Sequence, residues 1–235
     1  MMRAIVAVLI WLCAGLVPAA VPTAAPAGAW PRGEGNVFIA MSADQTRAQI
    51  YAEYGLRGDW TLGLEATMPQ GRRLPDLTSF VHHPIWRGKG GGILSAGLAY
   101  EQREAVWAGV VPELDGVPEL AVRAGLFWGL GFDSRWGAGW MAIDAQAERI
   151  MTDTAPYDLG RNAAKLDATI GIKPMERLMV YLQAQGSRRQ GDPTYLRLEP
   201  SVAWAVGAGN LVLSPSVGVV GPKDPRLKMG VWLSF

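Results

Sequence analysis

Acidic and basic side chains recur in this chain at every second position of otherwise apolar runs, so the chemistry open to them is electrostatic. Glu65 falls within Trp60-Thr61-Leu62-Gly63-Leu64-Glu65-Ala66, and Glu101 and Arg103 fall within Leu94 to Arg103. Arg123 interrupts Leu120, Val122, Ala124 and Leu126; Lys165 and Asp167 alternate with Leu166, Ala168 and Ile170; Arg197 and Glu199 alternate with Leu196 and Leu198. On an extended backbone, alternate residues share a face, so each of these groups points away from its apolar neighbours. Asp144 joins them as a candidate on the same grounds. Facing one another across a narrow space, charges of both signs can line a polar passage whose constriction sets ion preference. They can equally pair across it and seal it. The candidate lumen-lining residues are therefore Glu65, Glu101, Arg103, Arg123, Asp144, Lys165, Asp167, Arg197 and Glu199.

Other chemistry has less behind it. His82 and His83, the two histidines, are adjacent, and adjacent residues of a strand face opposite ways, so at most one can serve a given site. With no serine motif of nucleophile type, an outer-membrane lipid hydrolase is only a second alternative, and no enzyme activity is expected. The single cysteine, Cys13, lies in the first residues, and no spaced His/carboxylate cluster exists, so neither metal nor other cofactor is expected. Gly88-Lys89-Gly90-Gly91-Gly92 lacks the Gly-Lys-Ser/Thr ending of a phosphate loop and reads as a turn. Arg72-Arg73 and Arg188-Arg189 read as solvated loop charges, with lipopolysaccharide phosphates as the alternative contact. Lys+Arg number 22 against 21 Asp+Glu, a balance that gives nucleic acid no purchase.

The elements that must position the charged residues are strands. The apolar residues repeat with a period of two, which a helix would scatter around its circumference. Short Gly- and Pro-containing turns at Gly55–Asp59, Arg87–Gly91, Gly131–Gly137, Lys173–Arg177 and Val206–Asn210 alternate with longer links at Met68–Asp76, Glu104–Val117, Thr152–Arg161 and Arg188–Thr194. Such asymmetry is expected of a transmembrane barrel, whose periplasmic ends only reverse the chain. Trp30, Trp60, Trp86, Tyr100, Trp107, Trp128, Trp140, Trp204 and Phe235 fall near turns, as interfacial girdles do. The expected fold is all-β: a single transmembrane antiparallel up-and-down β-barrel of about 12 strands, with 10 as the alternative count. The competing architecture is a soluble secreted β-sandwich or lipocalin-like barrel, which would turn the same apolar residues inward.

Both ends of the sequence fit export. Arg3, the apolar run Ala4 to Val17 and the small-residue stretch through Ala27-Gly28-Ala29 form the pattern of a cleaved signal peptide spanning 1–29. Its apolar run falls short of the roughly 20 residues of a helical membrane span. Residues 30–235 then form the barrel, located in the bacterial outer membrane among lipids and lipopolysaccharide. At the other end, Leu227, Met229, Val231, Leu233 and Phe235 alternate with Lys228, Gly230, Trp232 and Ser234.

Three pieces resemble a known family: the start Gly28-Ala29-Trp30, the run Tyr54-Gly55-Leu56-Arg57-Gly58-Asp59-Trp60-Thr61-Leu62-Gly63, and Leu198-Glu199-Pro200. They are similar to the outer-membrane transporter family named for the meta-pathway of phenol degradation, over about a third of the chain, and that resemblance implies hydrocarbon uptake. Resemblance to outer-membrane barrels implies that the barrel-assembly machinery reads the last strand through Trp232 and Phe235. The expected function is a channel or facilitator for passive passage of a small-molecule solute through a charge-lined lumen. The alternative is a structural or surface-interaction barrel with a plugged lumen.

Overall fold

A computed structural model of the chain describes residues 28–72, 74–104, 118–152 and 161–235. The expected signal peptide therefore lies outside the described residues except for Gly28 and Ala29, and Arg73 and Trp107 lie outside them too. The first six strands are β1 (Val37–Ala43), β2 (Arg47–Gly55), β3 (Thr61–Pro69), β4 (Asp76–Arg87), β5 (Gly92–Glu104) and β6 (Pro118–Ser134). They are followed by β7 (Gly137–Thr152), β8 (Arg161–Met175), β9 (Leu178–Arg189), β10 (Tyr195–Val206), β11 (Gly209–Val220) and β12 (Arg226–Ser234). Each pairs antiparallel with the next, and β1 pairs with β12, so the sheet closes into an up-and-down barrel of 12 strands. Ten strands would have required the weak strands near Gln49 and Phe80 each to merge into a neighbour, and both stand as separate strands, β2 and β4.

The two faces of the wall are sorted by the alternation seen in the sequence. Leu64, Leu98 and Met229 stand on the outside, each close to 60% exposed, while Glu101, Asp167 and Glu199, on β5, β8 and β10, are buried inside. A soluble barrel places these sets the other way round, so that alternative does not describe this molecule. A continuous apolar exterior over a closed wall, with every interior strand paired on both sides, is the solution available to a sheet surrounded by hydrocarbon.

The start of β1 and the finish of β12 lie together at one end of the barrel, the near end. Near-end turns are compact: Arg135-Trp136, Glu176-Arg177 and Gly207-Ala208 suffice for three of them. The expected turn at Gly131–Gly137 is shorter than the sequence suggested because the ladder continues to Ser134↔Gly137. Connections at the far end are more varied, and one departs from the expected asymmetry. Between β1 and β2 a tight turn is held by Asp44, whose Oδ1 accepts from Thr46 N (2.6 Å), Thr46 Oγ1 (2.7 Å) and Arg47 N (3.0 Å).

Wall height varies around the barrel. β6, β7 and β8 have 17, 16 and 15 residues against 7 in β1. At about 3.3 Å per residue the tall wall is roughly twice as long as the short one. Exposed Tyr54, Trp60, Trp86, Trp136 and Trp204 gather toward the near end, forming a girdle there. Trp140 and Trp30, expected in that girdle, lie elsewhere. Trp140 packs on the inner cluster, and Trp30 stands against Gly129 of the inner wall.

Candidate functional site

Strand parity and closure together create the interior site, because every strand must send half its side chains inward. The lumen holds a polar cavity of about 360 Å3 to which all twelve strands contribute, from Ser42 on β1 and Gln49 on β2 to Ser214 on β11 and Lys228 on β12. Of the nine candidate lining residues, Glu65, Arg123, Asp144, Lys165, Asp167 and Glu199 border this cavity. Glu101, Arg103 and Arg197 are not part of its lining and belong to ion-pair clusters at the far end.

The larger cluster belongs to the tall wall. Arg103 reaches Glu101, Glu119 and Glu148, each at 3.0 Å. Arg123 bonds Glu101 and, at 3.1 Å, Glu148, while Arg161 bonds Glu119 at 2.5 Å. Three carboxylates and three guanidiniums thus neutralise one another along one side. The second cluster sits on the other side, where Arg197 bonds Tyr195, Ser216 (2.9 Å) and Asp224 (2.9 Å), and Arg226 joins Asp224 at 2.6 Å. Lower in the lumen Lys228 bonds Glu199 at 2.5 Å and Lys165 bonds Asp167 at 3.0 Å. Glu65 accepts only from Thr67 Oγ1, at 3.3 Å, among the described residues.

Beneath the charges runs a band of rings. From Phe38, centroid distances of 6.2, 5.5, 6.4 and 6.1 Å lead through Tyr51, Phe80 and His82 to Phe127. In the other direction, 6.5, 5.8 and 6.2 Å lead through Trp232 and Tyr181 to Trp140. All are within the range of favourable aromatic pairing. Inward glycines let the rings lie against the wall: a Cβ at Gly63 would strike the Phe80 ring, and one at Gly171 the Trp140 ring. The band thus narrows the lumen by less than its bulk suggests.

The band is open between Phe127 and Trp140, and the segment before β1 stands there. Gly28 abuts Phe127, and Ala29 with Trp30 abuts Gly129. Ser95 Oγ donates to Ala29 O at 2.6 Å. The strap then runs round to β1, β2 and β3, where Arg32 N donates to Thr61 Oγ1 at 2.9 Å, and its guanidinium bonds Glu53 and lies 4.3 Å from the Phe38 ring centroid. Glu53 also accepts from Tyr51 Oη, so a carboxylate 2% exposed has both oxygens satisfied. Sequence reasoning found neither band nor strap. Phe127, Tyr181 and Trp232 on the polar parity were the available signal, whereas residues ahead of a first strand carry no alternation to read.

His82 faces the lumen and has no hydrogen-bonded serine; His83 faces out and stacks on Trp60 with centroids 4.6 Å apart. Among the described residues no group of three or more His, Cys, Asp or Glu could hold a metal. Of the two terminal-strand residues, Trp232 is buried in the inner cluster, and Phe235 is exposed at the near end, exchanging main-chain hydrogen bonds with Val37 of 3.0 and 2.9 Å.

No family model matches the chain, and no curated protein matches it. Solved structures do. The KdgM porin in complex with disordered oligogalacturonate superposes with a TM-score of 0.58 at 6% identity, covering 85% of this chain and 99% of that one. The NanC porin gives a TM-score of 0.57 at 9% identity, covering 83% and 98%. At such identities the likeness is one of fold, and the fold is that of these porin barrels. The phenol-degradation transporter family finds no support among these comparisons.

Proposed function

We propose that the protein is an outer-membrane channel that admits a small polar molecule by diffusion through its lumen. One observation carries this reading: a closed wall with an apolar exterior surrounds a 360 Å3 cavity lined by ionisable, amide and hydroxyl side chains. That volume suits a molecule of about monosaccharide size. The porin likeness supports it, and the oligogalacturonate on the KdgM porin makes a saccharide-sized, hydrogen-bonding solute the natural first class to try. A hydrocarbon, the cargo implied by the phenol-pathway resemblance, suits this interior less well, because it would leave the lining carboxylates and amides without partners. Around the barrel the partners are membrane lipids and lipopolysaccharide, and the assembly machinery reads β12 through Trp232 and Phe235.

Planar-bilayer recording of purified, refolded protein tests the reading. Discrete conductance steps, reduced by added solute that enters the lumen, are expected; a silent bilayer containing folded protein overturns it. The plugged-barrel reading has the ring band and the strap in its favour, and it predicts silence even after the strap is removed.

A further inference from the structure

The polar cavity is unbalanced at one place. Asp144 and Asp167 are directly opposed on β7 and β8, both on the inward parity. Lys165 engages Asp167 through Oδ2, which leaves Asp167 Oδ1 and Asp144 Oδ1 buried without a hydrogen-bond partner. The remaining cations that border the cavity are engaged by other carboxylates: Arg123 by Glu101 and Glu148, Lys228 by Glu199, and Arg47, at 3.9 Å, by Asp44. A second group in the same cavity also lacks a partner. His82 is 2% exposed and neither ring nitrogen is hydrogen-bonded, the nearest acid, Glu53, standing 3.9 Å from Nε2. Phe127 connects the two places, being the cross-strand neighbour of Asp144 and 6.1 Å from the His82 ring.

Like charges directly opposed across a sheet repel, and buried acceptors without donors are costly. What answers both is a donor that brings positive charge. An anionic solute would add a third negative charge and find no uncommitted cation at this spot. A bare divalent ion needs more oxygen ligands than the pair offers. An ammonium group supplies up to three donors, enough for both carboxylates, and Phe127, cross-strand from Asp144, offers a ring face that favours a cation further.

We propose that the Asp144–Asp167 pair is a binding site for a small organic cation, a protonated amine, held midway through the lumen; as a statement about cargo this rests on the channel reading. Three hexoses of one size separate the possibilities: glucosamine carries an ammonium, glucose is neutral and glucuronate carries a carboxylate. In liposome swelling, glucosamine is expected to enter fastest and glucuronate slowest, with roughly a tenfold span, the scale of one charged hydrogen bond. Calorimetric titration of the detergent-solubilised barrel is expected to show glucosamine binding. The double change Asp144→Asn with Asp167→Asn removes the like-charge repulsion, leaves the strands paired, and is expected to abolish both the binding and the preference. Folding of the variant is checked by its gel mobility before and after boiling. If glucuronate enters fastest, or if the order survives in the double variant, the site is overturned. Glucosamine binding without entry of any sugar would support the site and overturn the channel, whereas equal entry of all three without binding would do the reverse.

Discussion

At the scale of single residues, the lumen separates charges that hold the wall from charges with an oxygen left unpaired. Arg103 is the centre of the first kind, with three carboxylates around one largely buried guanidinium. Arg103→Ala would leave those carboxylates short of a partner in a restricted space, a change expected to cost about 3–5 kcal/mol. Urea unfolding in detergent micelles measures it, with Arg149→Ala as the comparison, because Arg149 is exposed and bonds only Asn162 among the described residues. Asp144 represents the second kind, and its inward direction was legible in the sequence from parity alone. Its lack of a partner was not, because pairing depends on which strands become neighbours and on which side chain on each reaches furthest. Glu101 and Arg197 show the same limit: parity turned both inward, and only the folded wall assigns them to ion-pair clusters and leaves them out of the cavity lining.

Among the elements, the strands were the readable part. Period-two alternation located β3, β5, β6, β8, β9, β10 and β12 because each has one face in contact with an apolar surrounding. The weaker β1, β2 and β4 carry rings and small residues on the inner parity, which blurs the contrast between faces. Turns were located but overestimated, as at Arg135-Trp136, because glycine-rich ladder ends look like loops when read in one dimension. The β1–β2 turn makes a separate prediction. Burial raises the Asp44 carboxyl, but hydrogen bonds from the Thr46 side chain and backbone and from Arg47 N outweigh it, so the pKa is held below the usual carboxylate value. A depressed folded value stabilises the barrel above the unfolded pKa, and this contribution disappears as pH falls through the lowered one. Asp44→Ala is therefore expected to cost roughly 1–2 kcal/mol near neutral pH and much less in acid. Unfolding midpoints of the two proteins measured across pH 2 to 7 would show the difference shrinking toward the acid end; a constant difference would mean that the charge is irrelevant.

For the whole molecule, closure is the property that organises the rest. A barrel with no free edge is expected to resist dodecyl sulfate until boiled, so the unboiled protein should run faster on a gel than the boiled one; identical mobility would argue against a closed wall in solution. The strap lies inside the lumen, between β6 and β2. Arg32→Ala removes its ionic anchor to Glu53 and is expected to raise single-channel conductance or open probability, whereas Arg32→Lys, which keeps the charge, is expected to change them less. Closure also has a history. The ladder between β1 and β12 joins the first and last strands of the wall through only six register pairs, Phe38↔Ser234 to Ala43↔Met229. Every other pair forms between chain neighbours, so this one carries the largest single loop-closure cost and must come late. Until it forms, the growing sheet has two bare edges, each able to recruit a strand from another chain. How long a newly made molecule waits for β12 to find β1, rather than how stable it becomes afterwards, then governs how many copies are lost to aggregation.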